Sequence, residues 1–253
     1  MIEMPDTRYV TTADGTRLAY QVFGSGKRDI LYLPGHIGHV EVHWEDPLYA
    51  AFLRGLGSFA RVIAVDRRGQ GLSDRLSPGD LPPPEVLVDD VISVMAEIRS
   101  HDTVVLGHDE GAQIGILLAA SHPELVRGLI LYGSSPSGTW TPAAPWGDTE
   151  EEWMSWMAWA IPRWGSIESA IADVQETAPE RVGDEAFTRW VAKLYRYGVS
   201  PNAASALYHL AIGLDVTDVL PAVRVQAPRE TASSRHSGDL RLLRIALARS
   251  STP

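Results

Sequence analysis

The stretch Thr103-Val-Val-Leu-Gly-His-Asp-Glu-Gly-Ala-Gln-Ile114 decides how this chain is read. Thr103–Leu106 is a short β-branched and apolar run of the kind that forms a buried strand. The residues from Gly111 to Ser121 are small and apolar and fit a helix packed closely on a sheet. Between them, Gly107-His108-Asp109-Glu110-Gly111 must turn the chain within a few residues. So tight a turn leaves no room for Cβ atoms two residues either side of its centre, and glycine occupies both places. The central residue is driven to positive φ, which Asp tolerates better than most side chains. Asp109 should therefore stand exposed at the end of a strand and beside a helix N-terminus, where the helix dipole favours a carboxylate. A plain N-cap is the competing reading for the same residue.

Outward from this turn, strand and helix signals alternate. Tyr9–Ala13 and Leu18–Phe23 flank Asp14-Gly15 and predict a hairpin. Asp29–Leu33, Arg61–Val65 and Leu129–Tyr132 read as further buried strands. Pro47–Phe59 reads as a helix with Pro in its first turn. Val86, Leu87, Val91, Val94, Met95 and Ile98 follow helical spacing after a proline run at 82–84. The pattern predicts an α/β fold with a mostly parallel sheet covered on both faces and an antiparallel edge. Function in such sheets lies at the carboxyl ends of the strands, which directs attention to the turns 34–45, 66–74 and 107–111.

Seven of the eight tryptophans fall in residues 136–215: Trp140, Trp146, Trp153, Trp156, Trp159, Trp164 and Trp190. That segment is helical in pattern and reads as a lid inserted into the core. The expected organisation is an N-terminal core part over 1–135, a helical lid over 136–215 and a C-terminal segment over 216–253. The tryptophans serve either as packing between lid and core or as an aromatic pocket. Trp140, Trp153, Trp156, Tyr195 and Tyr197 are the candidate substrate-binding residues.

Composition narrows the classes. The chain has 253 residues, 45% hydrophobic and 21% charged, with a formal charge of −10. It carries no basic stripe, so no nucleic-acid partner is expected. The absence of cysteine excludes disulfides, thiol catalysis and cysteine metal sites. No run reaches the ~18 apolar residues of a membrane span, and Met1–Val10 lacks the features of a signal peptide. The expectations are a cytoplasmic protein with a small hydrophobic organic substrate, no membrane, no cofactor and no metal; a homodimer is compatible with all of this.

An aspartate at the elbow suits attack on sp³ carbon, giving a carboxylate ester that water later cleaves. A serine would be expected for ester substrates. The amide of His36, after Gly35, and the amide of Glu110 are placed to form an oxyanion hole. The His36 side chain is a lesser catalytic candidate. His108 is expected to point into the core or beneath the elbow, and His122 to sit at a helix end on the surface. The run Asp66-Arg-Arg-Gly-Gln-Gly-Leu-Ser-Asp74 contains G-x-G but lacks the third glycine of a dinucleotide fingerprint. It reads as a structural turn beside the site.

The runs Leu33-Pro-Gly-His-Ile-Gly-His-Val-Glu-Val-His-Trp-Glu-Asp46 and Asp66–Asp74, with Leu214–Val225, resemble bacterial α/β-hydrolases often found fused to adenylate cyclase domains. The resemblance spans roughly residues 8–228 and implies the α/β-hydrolase fold. Those proteins usually carry Ser at the elbow. Gly-His-Asp is instead similar to epoxide hydrolases and haloalkane dehalogenases, which implies Asp109 as nucleophile and a lid tyrosine as proton donor. Tyr195, Tyr197 and Tyr208 are the candidates. Glu110 stands where dehalogenases usually place a halide-binding Trp, so dehalogenation ranks below epoxide opening.

Beyond Pro228 the resemblance stops, and the tail Arg229–Pro253 is rich in Ser and Arg with no aromatics. The family's acid and its general-base His are expected in this region, so the tail reads as truncated or frame-shifted. His236, near Asp239, is a weak substitute for the base. Three functions remain: a hydrolase of epoxide or related C–O bonds, a hydrolase-like ligand-binding or regulatory domain with impaired turnover, and an esterase.

Overall fold

The computed structural model describes residues 3–225 other than 36, 77, 78, 80, 143, 144 and 146. The expectations for His36, Trp146, His236 and Asp239 lie outside the described residues.

Six strands form one sheet: β1 (Thr7–Thr11), β2 (Arg17–Phe23), β3 (Asp29–Leu33), β4 (Arg61–Val65), β5 (Thr103–His108) and β6 (Val126–Tyr132). Their spatial order is β1-β2-β4-β3-β5-β6. β1 and β2 form the expected hairpin, with Gly15 at φ +90 in its turn. β2 meets β4 antiparallel, and β4, β3, β5 and β6 run parallel. The predicted strands are all present; β1 lies two residues earlier than its sequence signal and β6 starts three residues earlier.

Helices cover the two faces. α1 (Pro47–Gly57) starts on Asp46, whose carboxylate accepts hydrogen bonds from the amides of Leu48 and Tyr49. It buries Ala50 and Leu53 against Phe23, Ile30, Tyr32, Val62 and Leu106. α2 (Pro84–Glu97) and α3 (Glu110–Ser121) close the larger core on the other face, around Leu31, Leu33, Ile63, Val65, Ile114 and Leu118. β3 is buried along its whole length, as a strand covered on both sides must be.

The segment after β6 holds α4 (Glu150–Ala160), α5 (Ile167–Thr177), α6 (Glu185–Gly198) and α7 (Pro201–Gly213). These helices share an apolar centre of their own, including Met157, Val174, Val191, Tyr195 and Tyr208. The two ends of the segment are tied together. Ser137 and Asp215 form an antiparallel bridge, Gly138 N donates to Leu214 O at 2.9 Å, and Val216 N donates to Pro136 O at 2.8 Å. The lid is also fastened to the core: Trp190 Nε1 donates to Val42 O at 2.8 Å, and Gly71 N to Gly198 O at 2.7 Å.

The 66–74 turn braces this arrangement. Asp66 is fully buried and accepts from Val40 N at 2.8 Å and Leu72 N at 2.9 Å. Gln70 Oε1 accepts from Gly38 N at 3.0 Å. Arg68 forks onto Asp90 of α2 at 2.6 Å and reaches Asp14 in the hairpin turn at 2.7 Å. The turn thus holds the loop after β3, the lid and the hairpin at once.

Two outcomes follow from this packing. Gly111→Ala would place a Cβ 2.2 Å from Leu33 O; unfolding measurements should show a loss of about 1–3 kcal/mol. Gly55→Ala, in an exposed turn of α1 with open space around it, should gain up to about 1 kcal/mol in the same assay. Burial raises the Asp66 carboxyl to about 7, against the two amide hydrogen bonds that pull it down. Its unfolded value is near 3.9. Protonation of Asp66 therefore favours the fold below about pH 4, and this contribution is lost as pH rises towards 7. Denaturant titrations from pH 4 to 7 should show the wild type losing stability relative to Asp66→Asn; parallel curves would refute the assignment.

Candidate active site

β5 ends at His108 and α3 begins at Glu110, so Asp109 alone makes the reversal. Its backbone sits at φ 47 and ψ −122, a region costing a non-glycine residue roughly 1–3 kcal/mol. The glycines on either side are sterically required. A Cβ on Gly107 would fall 2.4 Å from Ala112 Cα, and one on Gly111 would strike Leu33 O. Backbone hydrogen bonds fix the turn from both sides, Asp109 N donating to Tyr132 O at 3.1 Å and Ala112 N to Asp109 O at 2.9 Å. The Asp109 side chain makes no capping bond to the helix, which removes the N-cap reading.

The Asp109 carboxylate is about one-third exposed and lies between two glycines. A Cβ at Gly35 would sit 2.6 Å from Oδ2, and one at Gly133, where φ is +59, would sit 3.1 Å from Oδ1. Both strand ends must therefore be bare for the carboxylate to occupy this place. His108 Nε2 stands 3.3 Å from Asp109 Oδ2. The expectation that His108 turns into the core or under the elbow is thus corrected. Strand alternation puts it on the same face as Leu106, beside Tyr132 at 5.1 Å, and at the sheet's last row it is only partly covered.

Behind the carboxylate on that face is a buried tyrosine–histidine group that the sequence reading did not single out. The hydroxyls of Tyr32 and Tyr49 are hydrogen-bonded to each other. Burial pushes Tyr32 up to about 12, and the charge of Asp109 adds to the rise while the bond to Tyr49 opposes it. His43 stacks on Tyr49 at 4.5 Å, and burial takes its imidazole down to about 3, leaving it neutral near pH 7. The signal available in sequence was the alternation of β3, which sets Tyr32 on the α1 face.

Glu110 faces the other side. Its carboxylate lies 3.5 Å from Arg67 Nη2, and both side chains are largely buried. Burial lowers Arg67, while Glu110 and Asp109 counter that effect. Arg67 Nε has no hydrogen-bond partner among the described residues. The two line a cavity of about 20 Å³ with Gln70, Tyr208, Ile37 and Leu214, which is room for about one water molecule.

The lid residues separate into three groups. Trp153 and Trp156 pack around Tyr208 at 5.8 and 4.8 Å, so these three meet within the apolar centre of the helical segment. Burial raises Tyr208 well above its ordinary value, and Asp173, Glu110 and Asp109 add to this. Tyr195 is committed elsewhere: its hydroxyl donates to Asp173 Oδ1 at 2.6 Å and its ring stacks on Trp164. Tyr197 is 53% exposed with the Lys193 ammonium over its ring, and Trp140 is 48% exposed near the lid base. The structure therefore does not gather Trp140, Tyr195 and Tyr197 at Asp109. His122 is on the surface at the end of α3, as expected.

Among the described residues no helix is long and apolar enough to cross a membrane, and no group of three or more metal-type side chains is found.

Comparison with known proteins agrees with this geometry. A Bacillus subtilis AB hydrolase superfamily protein, YfhM, is 37% identical over 70 residues, which are 28% of this chain and 24% of that protein. Mouse epoxide hydrolase 4 is 28% identical over 124 residues, 49% of this chain and 33% of that protein. The matches thus span less than half the length of these relatives. Among solved structures, a Pseudomonas aeruginosa hydrolase superposes with a TM-score of 0.68 at 21% identity, covering 88% of this chain and 78% of that one. The enol-lactonase of Burkholderia xenovorans gives 0.68 at 20% identity, covering 87% and 79%. At such identities the likeness concerns the fold. The family model described as the alpha/beta hydrolase fold matches residues 30–164, more than half of the chain. With its mostly parallel sheet, its strand–elbow–helix turn and its helical insertion, the chain belongs to the α/β-hydrolase family.

Proposed function

We propose that the protein is a hydrolase that opens epoxides or related C–O bonds, with Asp109 as its nucleophile. The observation that carries this reading is the conformation of Asp109: a strained, left-handed aspartate whose side chain is not used to cap α3. A carboxylate held there attacks an sp³ carbon and forms an ester. The amide of Glu110, at the first turn of α3, supports negative charge at that ester. The match to mouse epoxide hydrolase 4 is in keeping with this chemistry.

Ring opening leaves an alkoxide that needs a proton. Of the three lid tyrosines, Tyr208 is favoured, because it shares a cavity with Glu110 and is close enough to Asp109 to sense its charge. Dehalogenation stays below epoxide opening, although the Arg67 guanidinium offsets part of the Glu110 charge.

A second reading is a ligand-binding or regulatory domain without turnover.

Incubation with a small aryl epoxide, followed by intact mass measurement and diol analysis, separates the readings. The wild type should gain the mass of one epoxide or release diol, and Asp109→Ala should do neither. Stabilisation by the epoxide with neither adduct nor diol would support the binding domain. Ester cleavage that persists in Asp109→Ala would place activity outside the elbow. Tyr208→Phe should slow ring opening by roughly 10²–10⁴-fold, whereas Tyr195→Phe should lower thermal stability through the lost bond to Asp173 and leave ring opening nearly unchanged.

A further inference from the structure

We propose that His108 is the general base that hydrolyses the Asp109 ester. This rests on the reading of Asp109 as nucleophile and adds the second half of its cycle.

Among the described histidines, His108 alone has a ring nitrogen placed against the Asp109 carboxylate, at 3.3 Å. The others are otherwise engaged or remote. His39 Nδ1 accepts from the amides of Glu41 and Val42. His43 is buried in a stack with Tyr49. His122 and His209 are bound to Ser121 and to the Ser205 carbonyl on the surface.

Exposure is the second point. The His108 side chain is 37% exposed and Asp109 34%, so water reaches both. Gly133 puts no side chain beside the ring, where a Cβ would crowd His108 Cδ2 at 3.3 Å and Nε2 at 3.5 Å.

The step balances as follows. Ring opening joins one Asp109 oxygen to substrate carbon and breaks the carbon–oxygen bond of the epoxide; a tyrosine hydroxyl protonates the alkoxide. Water then attacks Cγ of Asp109 while His108 Nε2 takes its proton. The tetrahedral intermediate collapses and the bond between Cγ and the substrate oxygen breaks. The departing alkoxide becomes the second hydroxyl of the diol, taking the proton of the acid formed at Asp109. The proton on His108 returns to the tyrosinate. One epoxide and one water give one diol, with every protein group restored.

The test uses the whole chain with a small aryl epoxide. His108→Asn should form the adduct on Asp109 as the wild type does, which also shows that the site is folded. It should release diol about 10²–10⁴-fold more slowly, so the adduct persists on intact mass. In His108→Ala, added imidazole should restore diol release in proportion to its concentration. Diol release by His108→Asn at the wild-type rate would overturn the assignment and direct attention to the tail. Loss of both adduct and diol in the wild type would instead overturn the nucleophile itself, and the base with it.

Discussion

Gly111 brings the start of α3 so close to β3 that its backbone lies against the carbonyl of Leu33. This contact fixes the rest of the active end. It forces the reversal between strand and helix into a single residue, and that residue must adopt positive φ. It also brings Gly35, on the loop after β3, under the side chain of Asp109. A carboxylate is thus delivered to the end of the sheet by backbone packing alone, with the helix dipole behind it.

Electrostatics then divide the site into two unlike halves. On the α1 face, Tyr32, Tyr49 and His43 form a buried, neutral, hydrogen-bonded and stacked group. On the other side, Glu110 and Arg67 place opposite charges, both largely buried, in a small cavity. Such a pair costs desolvation and is poorly explained as a device for stability. The buried Asp66 carboxyl holds the loop after β3 to the 66–74 turn.

Much of the fold was legible because the signals were local. A continuous apolar run such as Asp29–Leu33, an Asp-Gly turn and a glycine either side of Asp109 each act within a few residues. The start of α1 followed from Pro47, and the structure adds Asp46 as its cap. The helical segment after β6 was legible as a change of composition. Which of its aromatics face Asp109 was not, because that depends on how four helices pack. Tyr195 proved to serve Asp173, and Tyr197 the surface. His108 was misread for a different reason. Strand parity puts it on a face that the core covers at Leu106, but the cover ends one row earlier. Arg67 and Glu110 are 43 positions apart, and their pairing has no local sign.

The elbow also has an evolutionary meaning. Its shape is held by Gly107, Gly111, the Tyr132 carbonyl and the Ala112 amide, and the side chain at 109 makes no capping bond to α3. The backbone strain there has already been met by groups that do not change when residue 109 changes. A single codon at this position can exchange a carboxylate for a hydroxyl and leave the sheet as it is. Under the proposed role of Asp109, such an exchange would move the reaction class from alkyl to acyl transfer without any rebuilding of the scaffold. In such a chain, descent is recorded in the glycines and chemistry in the one residue between them.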